Sequence, residues 1–340
     1  MASEPTHNDY TVGWVCALPK EQTAAIAMLD RKYDCLPKPP YDHNAYTLGS
    51  VSGHNVVIAC LPEGEIGTTS AAIVAQWMIS TFPAIKFGLM VGIGGGIPPK
   101  VRLGDVVVST PTGLFPGVVQ WDLGKANQGG NFQRTGSLNN PPTSLLTAVT
   151  KLKTEHELEG TAIPKYLDRL KRKYPKLVPK YLKSDTLEDV LFEADYDHVS
   201  PDQDEDEGER GCRSCDKNHT IQRRPREMCV HYGLIASGNQ VIKSAVFRDR
   251  LNKDLGGDVL CVEMEAAGLM NHFPCIVIRG ICDYADSHKN KDWQEHAAAV
   301  AAAYAKELLS QVQHTDVDGE RPAKDIVNEG QFIPSSKRLH

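Results

Sequence analysis

The sequence KFGLMVGIGGG, at residues 86–96, decides the fold class. Its nearly continuous apolar run over 86–93 is typical of a strand that is buried on both faces. Residues 67–82 have the apolar spacing of a helix, and residues 55–61 form another apolar run of strand length. A strand, a helix and a second strand in succession predict a parallel or mixed sheet that helices cover on both faces.

The same alternation continues in both directions along the chain. Further apolar runs predict strands at 11–18, 105–109, 231–238, 258–264 and 275–283. Helical spacing or high helix propensity predicts helices at 244–253 and 291–311. The chain is therefore predicted to have an α/β fold.

The domain organisation follows from changes in composition. We expect one domain over residues 1–312, with a charged insertion at about 151–228 that contains short helices of its own. A Lys-rich stretch, an acidic run at 193–209 and a basic block at 210–227 follow one another there. Residues 313–340 are polar, with Pro and Gly, and are predicted to form a C-terminal tail.

Composition excludes several classes of protein. The net charge is −6, whereas a general nucleic-acid binder would be basic, so no nucleic-acid partner is expected. No apolar run approaches the roughly 18 residues of a membrane helix, so no membrane partner is expected either. The nine cysteines and the absence of a signal-like N-terminus favour a cytoplasmic protein with reduced thiols.

Four carboxylates lie where predicted strands end. Glu21 follows the first strand, Glu263 and Glu265 lie where a strand passes into a helix, and Asp283 ends the strand CIVIRGICD. Open α/β sheets bind ligands at the carboxyl ends of their strands. Carboxylates that meet there would suit glycosidic chemistry, in which one acid assists the leaving group and another carboxylate activates water.

The glycine run and a group of cysteines are weaker signals. Gly94 and Gly95 are predicted either to form a tight turn that ends the strand or to let a ligand approach the backbone. Cys212, Cys215, Cys229 and His231 have a spacing that would allow a structural zinc site. No catalytic metal is expected.

With these residues in place, the sequence resembles the nucleoside phosphorylase/nucleosidase superfamily, in its fungal branch. The resemblance rests on CALPKEQ (16–22), VGIGGGIP (91–98) with LGDVVVS (103–109), GLIASGN (233–239), and VEMEA (262–266) with CDYAD (282–286). It implies a three-layer α/β/α fold with a central mixed, partly barrel-like sheet. Within the superfamily the sequence is most similar to a purine nucleosidase, an enzyme that needs no cofactor.

The resemblance also implies roles for individual residues. Asp283 matches the acid at purine N7, Glu265 the residue that holds the ribose diol, and Glu21 the carboxylate that activates water. Glu263 and Met264 match positions beside the ribose, and Gly94 and Gly95 match the wall of the base and ribose site. Since protonating N7 requires a carboxylic acid, we expect Asp283 to lie in an apolar or like-charged setting.

The sequence departs from its relatives at two points that bear on the substrate. The first loop, Pro19 to Gln22, contains no Arg to bind phosphate, which favours hydrolysis, although Lys20 keeps a phosphorylase open. Val241 replaces the base-stacking Phe of the bacterial methylthioadenosine nucleosidases. Ordinary purine nucleosides (adenosine, guanosine or inosine) are therefore the expected substrates, with Asn239 or Gln240 contacting the base edge.

Three alternatives stay open. They are a purine nucleoside phosphorylase, a methylthioadenosine/S-adenosylhomocysteine nucleosidase, and an ATP-cleaving nucleosidase that acts as a defence effector. The expected partners are a purine nucleoside and water as co-substrate. The resemblance implies a homo-oligomer, with a dimer favoured.

Overall fold

The computed structural model describes residues 4–128, 132–199, 212 and 214–331. The strands in these residues are β1 Val12–Cys16, β2 Arg31–Tyr33, β3 Tyr46–Val51, β4 His54–Cys60, β5 Phe87–Gly96, β6 Val106–Ser109, β7 Val118–Gln120, β8 Gly124–Ala126, β9 Phe132–Arg134, β10 Val230–Ser237, β11 Val259–Glu263 and β12 Cys275–Asp283. The helices are α1 Pro19–Met28, α2 Thr68–Thr81, α3 Thr143–Glu159, α4 Ile163–Lys173, α5 Val178–Tyr181, α6 Ala245–Asp254, α7 Gln294–Gln311, α8 His314–Gly319 and α9 Ala323–Gln331. Each strand and helix predicted above with its bounds is confirmed to within three residues at either end. The helix expected directly after β11 is instead a short 3-10 turn, Ala266–Gly268.

The central sheet is mixed and partly closed. Its strands follow the order β11-β10-β6-β12-β5-β1-β4-β3-β2, and β11 also pairs with β5, which closes a ring of five strands. β1 lies parallel between β4 and β5, whereas β12 pairs antiparallel with β6. The mixed, partly barrel-like sheet implied by the resemblance is therefore confirmed.

The glycines at the end of β5 take part in this closure. Of the two alternatives for the glycine run, the tight turn is wrong, because β5 continues to Gly96. Gly95 and Gly96 pair antiparallel with Val262 and Cys261 of β11. The run that lacks side chains thus lies where two strands of the ring meet.

Helices cover both faces of the sheet. On one face α1, α3, α4 and α7 contribute to a buried apolar cluster that contains Trp14 and Leu89. On the other face α2 and the segment after β11 contribute to a second cluster that contains Met90 and Val277. The strands of the sheet centre are buried on both faces, as their uninterrupted apolar sequence predicts.

The segment at 151–228 is built onto the domain through its helices. α3 begins at Thr143, ahead of the predicted boundary, and α3, α4 and α5 all contact α7. The acidic run at 193–209 lies outside the described residues from position 200 onwards, as do Arg210 and Arg213 of the basic block.

The polar segment at 313–340 differs from the expected tail over its described part. It forms α8 and α9, and Val317 and Val327 are buried. The Ala323 N–H donates to the Ile85 carbonyl oxygen at 2.8 Å, which attaches α9 to the domain. A few apolar residues on one helix face suffice for this packing, although the average composition is polar.

Across the part of the chain that the structure describes, no helix is both long enough and apolar enough to span a membrane.

Candidate active site

A cavity of about 290 Å³ lies at the carboxyl ends of β1, β5, β11 and β12. Most of the residues predicted from the sequence line it together: Glu21, Gly94, Gly95, Gln240, Val241, Glu263, Met264, Glu265 and Asp283. Asn239 is the one predicted substrate contact that does not line the cavity. The sequence therefore predicts the sheet edge at which these residues meet.

Glu21 is held by the backbone at the start of α1. Its Oε2 accepts hydrogen bonds from the N–H groups of Ala17 at 2.7 Å and Leu18 at 3.0 Å. Its Oε1 accepts from the Ile93 N–H of β5 at 2.8 Å. Burial raises the pKa of Glu21, while the nearby Arg279 guanidinium and these N–H groups oppose the rise. The carboxylate is thus fixed in place beside the cavity in an environment that favours taking up a proton.

Arg279 is the main residue that sequence reasoning missed. Its side chain, 1% exposed, points from β12 into the carboxylates. Its Nη2 forms an ion pair with Glu263 and lies 3.3 Å from Glu265 Oε2. Burial by itself would lower the pKa of Arg279. The negative charges of Glu263, Glu265 and Glu21 outweigh this effect and raise the pKa, so the guanidinium stays charged. A cationic residue inside the apolar run CIVIRGICD was the available signal.

The Glu263 carboxylate is bound by the protein's own backbone and by Arg279. It accepts from the backbone N–H groups of Glu265 at 3.1 Å and Ala266 at 3.0 Å, and from Arg279. These bonds fix the turn after β11 and hold the guanidinium in place. Glu263 borders the cavity, yet its hydrogen-bonding capacity is engaged by the protein itself.

Glu265 is less well satisfied than Glu263. It accepts from the Gly67 N–H and from Arg279 Nη2, both at 3.3 Å. Burial raises the pKa of Glu265 to about 7; Arg279 opposes this rise, while Glu263 and Glu21 add to it. Long hydrogen bonds and a raised pKa leave this carboxyl available to polar groups that enter the cavity.

Asp283 has a setting different from the expected one. Its Oδ2 lies 2.9 Å from the Lys289 ammonium, and its Oδ1 accepts from the Ala285 N–H at 2.8 Å. The neighbouring Cys282 thiol lies 3.2 Å from Oδ2. The prediction of an apolar or like-charged setting is therefore wrong, because a cation from the following loop is the partner. Asp283 in turn raises the pKa of Lys289 against the effect of burial, so the lysine stays charged.

Two glycines of β5 leave room for these side chains. A Cβ on Gly92 would meet Glu21 and would lie 2.6 Å from Arg279 Nη1. A Cβ on Gly95 would lie 2.9 Å from Asp283 Oδ1. Both positions require glycine because the functional carboxylates approach the strand backbone closely.

The residues expected to contact the base divide into two groups. Asn239 is bound elsewhere: its Oδ1 accepts from the Thr68 N–H and hydroxyl at 3.0 Å, at the start of α2. Its backbone N–H donates to Asp122 at 2.7 Å. Gln240 and Val241 do line the cavity, together with Trp121, whose indole the sequence analysis did not consider. An aromatic ring is therefore present at the cavity wall even though Val241 is aliphatic.

The cavity is acidic, and its cations are already paired. Four carboxylates line it, against two cations, Arg279 and Lys289. Lys20, which had kept phosphate binding open, lies 2.9 Å from both Gln294 and Glu295 and does not line the cavity. Since both cations that line the cavity are ion-paired, an anion would find no unpaired cation among the described residues of the cavity wall.

The predicted zinc ligands are not brought together as a set. His231 Nε2 lies 2.8 Å from Asp105 Oδ2, and the Cys229 N–H donates to Asp105 at 2.9 Å. Cys212 and Cys215 instead lie beside His198. The spacing of the CxxC pair was informative, but the choice of its partners was wrong because Cys229 and His231 belong to the edge of β10.

Comparison with known proteins agrees with this fold. The model of the Phosphorylase superfamily matches residues 11–168. A nucleotide-binding leucine-rich repeat (NLR)-like protein of Hyaloscypha variabilis is 50% identical over 308 residues, which are 88% of this chain and 29% of that protein. The chain thus spans less than a third of that relative.

Two bacterial proteins extend the comparison. The 5′-methylthioadenosine/S-adenosylhomocysteine nucleosidase of Mycobacterium bovis is 25% identical, over 88% of this chain and 95% of the relative. The crystal structure of the corresponding Helicobacter pylori nucleosidase has a TM-score of 0.57 at 16% identity, and covers 89% of this chain and 99% of that one. The second likeness shows that the fold is shared.

Proposed function

Because the chain belongs to the phosphorylase superfamily, we propose that it hydrolyses the N-glycosidic bond of purine ribonucleosides to free base and ribose. Adenosine, guanosine and inosine are the proposed substrates. One observation carries the proposal: Glu21, Glu265 and Asp283 border a single cavity, each in a different electrostatic environment. Three carboxyls with distinct partners can divide the work of an acid, a base and a sugar ligand.

The sugar is bound by Glu265. A ribose diol presents two hydroxyl donors, and a carboxylate accepts from both, which orients the sugar and discriminates against deoxyribose. The bonds of Glu265 to Gly67 and Arg279 are both long, so the diol can compete for its oxygens. Arg279 keeps the adjoining Glu263 neutralised, so the local surplus of negative charge is limited.

The leaving base receives its proton from the Asp283–Lys289 pair. Breaking the glycosidic bond leaves electrons on the purine, and protonating N7 turns the base into a neutral leaving group. An ammonium 2.9 Å from the Asp283 carboxylate can resupply the proton that Asp283 delivers. Glu21 takes the proton from the attacking water, and its raised pKa favours that step.

The electrostatics of the cavity support water over phosphate as the second substrate. Phosphate would approach four carboxylates whose cationic neighbours, among the described residues that line the cavity, are Arg279 and Lys289. Both cations are ion-paired, and Lys20 is bound to Glu295. Neutral water meets no such repulsion.

Trp121 offers a platform for the base. Aromatic stacking is insensitive to the substituents of a purine, which suits a site that accepts several bases. Trp121 packs edge-on against Phe247 with ring centroids 5.6 Å apart, which supports the indole from behind. Gln240, also at the cavity wall, is left to contact the polar edge of the base.

A second candidate is a 5′-methylthioadenosine/S-adenosylhomocysteine nucleosidase. It is favoured by the Mycobacterium bovis relative, which this chain matches over nearly its whole length. Cleavage of methylthioadenosine would use the same three carboxyls, so only the part of the cavity that faces the 5′ end would differ. A homo-oligomer and a cytoplasmic location remain predictions.

The test is a substrate panel. Purified protein is incubated with adenosine, guanosine, inosine, methylthioadenosine or ATP, and the released base is separated by chromatography. We expect release from the three ordinary nucleosides, loss of release in Glu21→Gln, and full release in the control Glu159→Gln, an exposed carboxylate of α3. Release from methylthioadenosine alone would support the second candidate, and release from ATP alone the effector alternative. Unchanged turnover in Glu21→Gln would refute the assigned roles.

A further inference from the structure

Three metal-ligating side chains converge outside the candidate active site. His198 Nδ1 lies 3.2 Å from Cys215 Sγ and 3.9 Å from Cys212 Sγ. All three ligand atoms lie within 4.8 Å of one another. Cys215 is buried, Cys212 is half-buried, and both are free thiols. They belong to the charged segment that packs beside the loop after β12.

These separations are those of ligands around a tetrahedral ion. With zinc–sulfur and zinc–nitrogen bonds of about 2.3 and 2.0 Å, a tetrahedral site places its sulfur and nitrogen ligands about 3.5 Å apart. The two sulfur–nitrogen distances here lie on either side of that value. Shifts of a few tenths of an ångström would therefore bring both sulfur–nitrogen separations to the tetrahedral value.

His288 lies beside this group and is the candidate for a fourth ligand, although its ring nitrogens are not within 4.8 Å of all three ligand atoms. Its Nε2 is buried and has no hydrogen-bond partner. Its ring lies 5.6 Å from the His198 ring, and its carbonyl oxygen lies 3.9 Å from Cys212 Sγ. A cavity of about 370 Å³ borders both His288 and Cys212. The His288 ring stacks on Phe192 with centroids 3.9 Å apart, so binding an ion would require the imidazole to turn out of this stack. A buried imidazole nitrogen without a partner requires an explanation, and a metal ion supplies one.

We propose that His198, Cys212, Cys215 and His288 bind one Zn²⁺ in a structural site. Two thiolates and two imidazoles are a donor set that zinc prefers, with all four positions closed to substrate. The site differs from the sequence-based expectation, since Cys229 and His231 are replaced by two histidines that are remote in sequence. It is also independent of the proposed nucleosidase activity.

The ion would fasten the charged segment to the loop that carries the active-site cation. His288 precedes Lys289, which pairs with Asp283. The His198 N–H already donates to the Ser287 hydroxyl at 3.1 Å, so a hydrogen bond connects the two segments before any ion binds. Metal binding would therefore restrict residues 283–289, whose geometry sets the Asp283–Lys289 distance.

Metal content tests the proposal. The full chain is purified under reducing conditions, stripped with chelator, and titrated with zinc alone; bound metal is measured by mass spectrometry. We expect one zinc per chain in the wild type and in the control Cys229→Ser. We expect affinity lower by at least about tenfold in Cys215→Ser and in His288→Ala. No binding by the reduced wild type, or an equal loss in Cys229→Ser, would overturn the proposal.

Two further measurements use the wild-type protein, so their outcome does not depend on whether the variants fold. Cobalt added to the wild type should give the intense visible absorption of a tetrahedral thiolate site, and its absence would contradict the ligand set. Hydrogen exchange of residues 283–289 should slow when zinc is added. Unchanged exchange would refute the fastening of the loop, and a Cys212–Cys215 disulfide that persists through purification under reducing conditions would refute the metal site.

Discussion

Exchanging Glu265 for its neutral isostere should stabilise the protein above neutral pH while it abolishes activity. Glu265 is buried, and its pKa is raised from an ordinary 4.5 to about 7. The folded chain therefore binds a proton that the unfolded chain has already released, and folding loses stability as the pH rises from about 4.5 to about 7. At about 1.4 kcal/mol per pKa unit, the stability lost above that window is about 3 kcal/mol.

The structure also gives the opposing contribution. Glu265 accepts two hydrogen bonds, from the Gly67 N–H and from Arg279 Nη2, each 3.3 Å long. A glutamine can accept only one of them, and the loss of one long bond costs about 1 kcal/mol. Glu265→Gln should therefore raise the free energy of unfolding by about 1–2 kcal/mol at about pH 8, and lower it slightly at about pH 5.

Glu263→Gln provides the matched control, two residues away on the same turn. Glu263 is paired with Arg279 and accepts from the N–H groups of Glu265 and Ala266. Neutralising it breaks a buried ion pair, which should lower the free energy of unfolding by about 3 kcal/mol or more at either pH. The assay is urea unfolding followed by tryptophan fluorescence, together with base release. Equal destabilisation by both substitutions at about pH 8 would refute the reasoning.

Substitutions at three other positions test separate parts of the site. Asp283→Asn should lower kcat/KM by about 100-fold or more. Because it also breaks the ion pair with Lys289, whose side chain is partly exposed, it should lower the free energy of unfolding by about 1–3 kcal/mol, measured on the same protein samples; activity that persists would remove Asp283 from the mechanism. Gly92→Ala should abolish base release, because its Cβ would lie 2.6 Å from Arg279 Nη1, and a normal rate would show that the ion-paired cluster tolerates displacement. Trp121→Ala should raise KM by about tenfold, whereas Trp121→Phe should keep most of the affinity; equal KM values for both would argue against stacking.

The apolar strands made much of the fold predictable. An uninterrupted apolar run can only be buried on both faces, so β1, β4, β5 and β12 were identified with their neighbouring helices. The pairing of β5 with β11 that closes the sheet was not predicted, because a glycine run is compatible with a turn as well as with a strand. The short strands β7, β8 and β9 carry too few residues for a recognisable alternation.

The site was predictable where a side chain ends a strand, and less so where it depends on a partner from elsewhere. Glu21, Glu265 and Asp283 were found because the carboxyl ends of strands share one sheet edge. Arg279 and Lys289 were not assigned, because ion pairing depends on distances that no spacing encodes. For the same reason the sequence named Cys229 and His231 where the structure brings in His198.

The choice of second substrate is the central claim, and it is tested most directly by turning over a purine nucleoside with and without inorganic phosphate. The sugar product is identified by phosphorus NMR and an assay for free ribose. The acidic cavity and its paired cations predict free ribose, formed at the same rate in both mixtures, with no ribose 1-phosphate. Base release that requires phosphate and yields ribose 1-phosphate would contradict the account and assign the cavity to a phosphorylase.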